Sequence, residues 1–198
     1  MNILKRMEAV TGTVEASEVP VPDGMAGTQG GDRRDREVRR RASNAALTGL
    51  AAAGAIHALW ATGSSWPAAS RNELADLVVG VRPFPSAPMT LGVVGLIAVG
   101  AGLVGLEARR LDHEHTAPST PLGRLRRIAA IGVPAVLALR GVGGLVVSSF
   151  GLGEATEEFR HWDLRLYSPL CVVLAGLAWL AVRPATADNS AVGAIDRQ

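Results

Sequence analysis

The chain alternates long apolar stretches with short charged ones, and four apolar segments stand out in its middle. They cover residues 45–61, 89–106, 128–147 and 166–182. Each has about the 17–25 residues that a helix rising roughly 1.5 Å per residue needs to cross a hydrocarbon core of roughly 30 Å. A soluble helical bundle would need polar residues along one face of every helix, yet the second segment holds one threonine and no charge. The pattern predicts an all-α, polytopic membrane protein built as a four-helix transmembrane bundle.

Polar sequence flanks this apolar region on both sides. Residues 1–41 show no apolar period and contain the Pro/Gly-rich stretch VPVPDGMAGTQGG, which cannot bury enough surface to offset the entropy of ordering. We predict disordered cytoplasmic tails at 1–41 and 184–198 around a transmembrane domain at 42–183, with spans at about 43–62, 89–107, 126–147 and 165–183. Because the first apolar run begins too late for a cleavable signal peptide, it is expected to remain as a span.

Arginines are distributed unevenly among the polar flanks and loops. Six precede the first segment and five lie between the second and third, whereas the other two loops hold two each. The two basic clusters are Arg33, Arg34, Arg36, Arg39, Arg40 and Arg41, and Arg109, Arg110, Arg124, Arg126 and Arg127. Short flanks rich in lysine and arginine stay in the cytoplasm, and the first cluster would lie outside if its segment did not cross. We therefore predict a multi-pass cell-membrane protein with both termini cytoplasmic.

Arg140 lies well inside the third apolar segment and needs a partner. It follows Arg127 by thirteen residues, which is about 20 Å along a helix and past the bilayer midplane. An arginine at that depth costs at least about 2.5–3.5 kcal/mol and is expected to face the bundle interior beside a counter-charge. His57 follows Arg41 by sixteen residues, or about 24 Å along the first segment. The two polar groups are therefore expected to share a level in the outer half of the bundle.

The loops on the outer side supply the rest of this expected polar pocket. Ser70 followed by Glu73 has the spacing of a capping box and predicts a short amphipathic helix along the membrane surface. Asp163, just before the fourth segment, is the first choice as the partner of Arg140, and the glycine pair at 143–144 makes room above the arginine. The candidate pocket residues are His57, Trp60, Arg140 and Asp163, and the secondary candidates are Trp66, Glu73, Trp162 and Tyr167.

Several motifs of the chain also carry a family resemblance. His57 with Trp60, SSWP after them, LRGVGGL in the third segment and WDLRLYSPLC at the start of the fourth resemble a family of small bacterial four-helix membrane proteins, DUF3995. The likeness covers roughly residues 45–183, and the last motif is the most specific. The resemblance implies four spans and an uncharacterised role, and it supplies no catalytic residue. The first forty residues lie outside it, and a start at Met25 stays open.

The remaining chemistry-bearing residues narrow the kinds of site that the chain offers. Cys171 is the single cysteine, so there is no disulfide framework and no paired-cysteine metal site. The stretch DHEH at 112–115 places two histidines at i and i+2, which project differently from a helix, so no metal site is expected. Basic runs beside an apolar span favour contact with lipid headgroups and not with nucleic acid. No motif implies a cofactor.

Three classes of function stay open at this point. The first is a non-catalytic membrane or accessory protein with a protein partner or a second copy of itself, in which buried polar groups only fix packing. The second is binding or transport of an anionic or lipid-like ligand through Arg140. The third is a membrane enzyme that uses His57 as acid or base beside an anion held by Arg140. The first class is favoured, and enzymatic activity is left undecided.

Overall fold

The computed structural model describes residues 23–113 and 120–183, without the side chains of 23–30 and 32. Over this part of the chain every regular element is helical. The elements are α1 (Asp23–Ala61), α2 (Arg71–Val78), α3 (Ala87–His113), α4 (Pro121–Ser149), α5 (Glu157–Trp162) and α6 (Ser168–Val182). A π-helical turn, Asp163–Tyr167, joins α5 to α6 in one continuous helix. The all-α prediction is confirmed for these residues, while positions 1–22 of the predicted tail 1–41, and the whole predicted tail 184–198, lie outside them.

Three helices are long and apolar enough to cross a membrane: α3, α4 and the continuous helix Glu157–Val182. They contain the second, third and fourth predicted spans. Their outward faces carry large aliphatic side chains such as Leu96, Val136 and Leu139. An apolar surface of this extent is rare on a monomeric soluble protein and suits a hydrocarbon environment.

The first predicted span lies in α1, which is not among these three helices. Its second half is mostly alanine and glycine and contains His57, so its mean hydropathy is lower than that of the other three. The helix also starts earlier than expected, because it includes the basic stretch 33–41 that was predicted as part of a disordered tail. The chain divides into two units after Arg33, and the packing below concerns the unit from Arg34 onwards. The crossing of α1 stays a prediction.

From Arg39 onwards α1 lies antiparallel against α3. Arg39 donates to Asp112 near the end of α3 over 3.1 Å. Midway along, Gly54 approaches Ile97 closely enough that a Cβ would lie 3.5 Å from its Cγ2 atom. Beyond the start of α3, the ring of Trp60 meets that of Phe84 in the preceding loop edge to face, with centroids 6.2 Å apart. The contacts between α1 and α3 therefore extend from Asp112 to Ile97, and a ring contact with the loop before α3 continues them.

Small side chains allow the helices to approach closely. The buried apolar cluster draws on α1, α3, α4 and α6 and consists of Ala46, Val104, Ala108, Ala130, Ala178, Ala181 and Val182. The tightest contact is between α4 and α6, where a Cβ on Gly141 would lie 2.9 Å from both the backbone carbonyl oxygen of Ser168 and the backbone nitrogen of Val172. Small residues at such contacts are typical of helices packed in lipid.

The two short helices form a layer at one end of the bundle, which we call the α2–α5 end. The predicted capping box is confirmed: Ser70 Oγ accepts from the Glu73 amide at 3.2 Å, and Glu73 accepts from the Ala69 amide at 3.0 Å. Thr156 links the layer, since its hydroxyl donates to the Asp76 carbonyl over 2.6 Å. We call the opposite end, where α3 ends and α4 begins, the α3–α4 end.

Candidate functional site

Arg140 of α4 is paired with Asp163 of the π-helical turn. Its Nη2 atom donates to Asp163 Oδ1 over 2.9 Å, and its Nη1 atom donates to Ser168 Oγ over 3.3 Å. The second carboxylate oxygen, Oδ2, accepts from Ser148 Oγ over 2.6 Å. Asp163 is only 1% exposed, so a buried carboxylate has both of its oxygens engaged. We refer to Arg140, Ser148, Asp163 and Ser168 as the Arg140–Asp163 cluster.

The π-helical turn explains why Asp163 and Ser168 both reach Arg140. In a π-helix the N–H group bonds to the carbonyl five residues earlier, and the Ser168 amide donates to the Asp163 carbonyl in this way. Residues five apart then share a face. In an α-helix, at about 100° per residue, they would lie roughly 140° apart. The turn therefore directs two polar side chains from one helix at the same guanidinium.

Gly144 provides the space that the cluster occupies. A Cβ at this position would overlap Ser168 Oγ and Arg140 Nη1 and would lie 2.9 Å from Asp163 Oδ2. A Cβ on Gly143 would meet nothing within 4 Å. Of the two glycines expected to make room above Arg140, only Gly144 does so, and polar side chains fill that room.

The ion pair is asymmetric in its exposure. Asp163 is enclosed, whereas the Arg140 side chain is 45% exposed and follows the outward-facing Leu139. Arg140 precedes the last residue of α4, Ser149, by nine residues, or about 13 Å along the axis. One side of its guanidinium therefore contacts Asp163 and Ser168, and the other side lies at the surface of the bundle.

His57 lies in a separate aromatic group. Its Nδ1 atom is 2.7 Å from the Ala53 carbonyl oxygen, and its ring meets that of Trp60 edge to face with centroids 5.1 Å apart. Trp60 donates from Nε1 to the Trp66 carbonyl over 2.7 Å. Across the described part of the chain, no hydrogen bond, ion pair or ring contact joins this group to Arg140. The four candidate pocket residues therefore form two pairs, His57 with Trp60 and Arg140 with Asp163.

The secondary candidates belong to the α2–α5 end. Trp66 is exposed and accepts the Trp60 hydrogen bond with its backbone carbonyl, and Glu73 completes the capping box of α2 by accepting from the Ala69 amide. Tyr167 donates its hydroxyl to the Leu77 carbonyl over 3.3 Å, which ties the π-helical turn to α2. Trp162 is exposed and contacts the ring of His161 at a centroid distance of 5.8 Å. None of these four contacts the Arg140–Asp163 cluster through the hydrogen bonds, ion pairs or ring contacts of the described residues.

A second charged cluster, at the α3–α4 end, was not anticipated from the sequence. Glu107 is completely buried and accepts from Arg110, whose Nη2 atom lies 2.8 Å from Oε1. Arg126 of α4 approaches the same carboxylate at 3.8 Å. Its signal in the sequence was one acidic residue at the end of an apolar segment with an arginine three positions later. The predicted span 89–107 includes Glu107 as its last residue, and no role was assigned to that residue from the sequence.

Metal ligation finds no support among the residues that the structure describes. They contain no group of three or more histidine, cysteine, aspartate or glutamate side chains that could hold a metal ion. Asp112, the first residue of the DHEH stretch, is paired with Arg39. Glu114 and His115 lie outside the described residues.

Three helices long and apolar enough to cross a membrane, outward-facing aliphatic side chains and an ion pair between two of those helices indicate a helical membrane protein. The chain belongs to the family described as "Protein of unknown function (DUF3995)", whose profile matches residues 50–178 of the 198. This match confirms the resemblance drawn from the sequence motifs. No curated protein and no solved structure matches the chain.

Proposed function

We propose that the chain is a four-span, multi-pass protein of the cell membrane that acts without catalysis, as a scaffold or accessory protein. In this proposal the Arg140–Asp163 cluster fixes α4 against α6. The observation that carries it is the state of Asp163, whose carboxylate is buried with both oxygens hydrogen-bonded. A group engaged in this way stabilises one arrangement of helices, and its burial keeps both oxygens out of reach of a substrate.

Contact between α1 and α3 supports the fourth crossing. Arg39 of α1 meets Asp112 of α3 at one end, and Trp60 of α1 meets Phe84, in the loop just before α3, at the other. Arg39 and Trp60 are 21 positions apart in the numbering, about 31 Å along a helix and close to the hydrocarbon thickness of a bilayer. A helix that lies beside α3 and the loop just before it over this distance is expected to cross wherever α3 crosses.

The enzyme alternative has less support. General acid–base catalysis needs a group within hydrogen-bonding reach of a substrate and, for histidine, usually a second residue that orients the ring. The described contacts of His57 are a backbone carbonyl of its own helix and the ring of Trp60. These contacts are those of a histidine that packs at a helix end.

The packing role is tested with a double-mutant cycle on Arg140 and Asp163. Arg140→Gln leaves a buried carboxylate without its cation and should lower the free energy of unfolding by about 3 kcal/mol. Asp163→Asn leaves a half-exposed guanidinium and should cost less, about 1 kcal/mol. The double variant should recover part of the loss, with a coupling energy of about 0.5–3 kcal/mol.

Unfolding of the detergent-solubilised protein in denaturant supplies these free energies. Two single variants as stable as the wild type would show that the pair does not hold the helices together and would contradict the proposal. Additive effects of the two substitutions would contradict it equally, since they would show that the residues stabilise the bundle independently.

The exposed edge of Arg140 favours a second candidate function, the binding of an anionic group at the bundle surface. A guanidinium with 45% of its side chain exposed has donors turned away from Asp163. In this case Arg140→Gln would abolish stabilisation by an added anionic amphiphile, whereas Asp163→Asn would leave it intact. Equal loss in the two variants would favour the packing role alone.

A further inference from the structure

We propose that the α3–α4 end of the bundle carries a binding site for a phosphoryl anion, the headgroup of an anionic phospholipid, with Arg126 as its main donor. The site is built on Glu107, Arg110 and Arg126. It is separate from the Arg140–Asp163 cluster and does not depend on the role proposed for that cluster.

Glu107 fixes the position of the site. Its side chain is fully buried, and Arg110 holds it from one side, with Nε at 3.2 Å from both carboxylate oxygens and Nη2 at 2.8 Å from Oε1. Arg110 is itself nearly buried. A buried carboxylate held by a buried guanidinium is fixed in place, because displacing either partner would leave an uncompensated charge.

Arg126 lies within ion-pair distance of Glu107 and makes no hydrogen bond to it. Its Nε atom lies 3.8 Å from Glu107 Oε2, which is within ion-pair range and beyond hydrogen-bonding distance. That nitrogen is buried and has no hydrogen-bond partner. The side chain as a whole is 36% exposed. Arg126 is therefore held toward Glu107 through its buried Nε, while the exposed part of its side chain has no hydrogen bond to the described residues.

Phosphoryl oxygens match these donors. A guanidinium offers five N–H groups in a planar fork that pairs with two oxygens of one phosphate or carboxylate. An anion at the exposed part of Arg126 would supply acceptors that the described residues do not provide there.

The surroundings of Arg126 favour a phospholipid over a free anion. Leu122, one helical turn before Arg126, is 76% exposed, and Leu125 and Ile128 are exposed as well. Aliphatic side chains on both sides of the arginine along α4 place it at the boundary between headgroups and acyl chains. At that depth a phospholipid brings its phosphate to the guanidinium and its chains to the leucines.

The experiment measures how strongly lipid stabilises the full chain, purified in an uncharged detergent. Thermal unfolding midpoints are recorded with added phosphatidylglycerol, phosphatidylcholine or inorganic phosphate, at about 0.5 M salt to screen exposed charges. Phosphatidylglycerol is expected to raise the midpoint of the wild type more than phosphatidylcholine does, because a ligand that binds the folded state stabilises it by mass action. Native mass spectrometry of the wild type with both lipids gives the preference independently of any variant.

Arg126→Gln is compared with Arg124→Gln, which removes the same charge from an exposed position two residues away. Arg126→Gln should weaken the preference for phosphatidylglycerol by about fivefold or more, the effect of one arginine at an anionic surface. Arg124→Gln should keep the preference under the high-salt condition. Arg126→Lys retains the charge without the fork and should give an intermediate value, which keeps the comparison available if the glutamine variant does not fold.

Each outcome decides the proposal. Equal binding of the two lipids by the wild type would overturn it, as would an equal loss in the Arg124 and Arg126 variants, which would indicate diffuse attraction only. A full shift with inorganic phosphate that Arg126→Gln abolishes would support the phosphoryl site and identify the free anion as its ligand. Asp163→Asn should keep the lipid preference, and its loss there would overturn the assignment to Arg126.

Discussion

At the scale of single residues, Gly144 decides whether the Arg140–Asp163 cluster can form. Gly144→Ala would place a methyl group on Ser168 Oγ and Arg140 Nη1. The polar side chains would have to move apart, and we expect a loss of about 1–3 kcal/mol in the free energy of unfolding, typical of overpacking. Denaturant unfolding in detergent measures the change.

Gly143→Ala is the matched control for this prediction. A Cβ at 143 meets nothing within 4 Å, and alanine is a better helix former than glycine by about 0.8–1.0 kcal/mol. The control should therefore be neutral or stabilising. A Gly144→Ala variant as stable as the Gly143→Ala variant would show that the cluster is loosely packed and would count against its role in fixing α4 on α6.

Sequence reasoning predicted some of these residue contacts and missed others for identifiable reasons. Asp163 was chosen as partner of Arg140 because a charge inside an apolar segment needs a counter-charge, and the two are paired. His57 was grouped with Arg140 for a different reason, namely that the two lie at a similar depth along their helices. Depth gives the level of a residue on its helix and leaves open which neighbour it faces, and His57 meets Trp60 and its own helix instead.

At the scale of elements, Thr156 couples α2 to α5. Its hydroxyl donates to the Asp76 carbonyl of α2, and it also caps α5 by accepting from the Phe159 amide. Thr156→Val should destabilise this contact by about 1–2 kcal/mol, since a cap and an interhelical hydrogen bond are lost together. Amide hydrogen exchange should become faster in both short helices.

Thr156→Ser keeps the hydroxyl and is expected to exchange like the wild type. Thr62→Val removes a hydroxyl that bonds only within its own helix end, to Leu59, and should leave α2 and α5 unaffected. Faster exchange in α5 with no change in α2 would mean that the hydroxyl acts as a cap alone and does not join the two helices.

The ion pair of Asp76 with Arg82 gives the α2 region a defined dependence on pH. A hydrogen bond from Arg82 holds the pKa of the Asp76 carboxyl below its usual value, with desolvation acting in the opposite direction. A carboxyl with a lowered folded-state pKa stabilises the fold above its unfolded value, about 3.9, and loses that contribution as the pH falls through the folded value. Exchange in residues 71–82 should therefore be constant between about pH 5 and 7, after correction for intrinsic rates, and should rise below about pH 4.

Asp76→Asn removes the titrating group and tests this cause. The variant should lose the extra acceleration below about pH 4, while the wild type shows it. A carbon-13 titration of the Asp76 carboxyl provides the direct measurement. A midpoint at or above about 3.9 would contradict the prediction, because the carboxyl would then gain nothing from Arg82.

Elements with a local signature were predictable from the sequence, and those set by tertiary contacts were not. The helix after Ser70 was expected because its cap and its cap-box glutamate are three residues apart, and α2 begins at Arg71. The π-helical turn at Asp163–Tyr167 was not predicted, although Pro169 follows it in the continuous helix and has no N–H to donate to the Arg165 carbonyl. The sequence near the turn gives a reason for an irregular helix there. That the turn brings Asp163 and Ser168 onto one face toward Arg140 depends on the position of α4 and was not visible in the local sequence.

At the scale of the whole molecule, apolar length predicted α3, α4 and the last helix as spans, and it leaves α1 to be decided. Alanine and glycine contribute little to the apolar length signal of α1, although they allow it to pack closely on its neighbours. Its contacts with α3 favour a crossing of α1 through the membrane, which its composition alone does not. If α1 crosses beside α3, its two ends lie on opposite sides of the membrane. The side on which Glu37, in the N-terminal half of α1, is found therefore distinguishes four crossings from three.

Cysteine labelling of intact cells tests this arrangement. In a Cys171→Ser background, single cysteines replace Glu37, Ser70, Thr120 and Glu154, all of which are exposed. With four crossings and basic flanks in the cytoplasm, a membrane-impermeant maleimide should modify positions 70 and 154 at once. Positions 37 and 120 should react only after the cells are permeabilised.

The pairing of positions 37 and 120 is the decisive result, because Arg39 and Asp112 hold these two regions at one end of the bundle. Labelling of 37 together with 70 from outside would show that α1 does not cross and would remove the four-span arrangement. Labelling of 37 and 120 from outside, with 70 and 154 protected, would keep four crossings and reverse the orientation. The arginine-rich ends would then face away from the cytoplasm, against the charge rule that assigned them there.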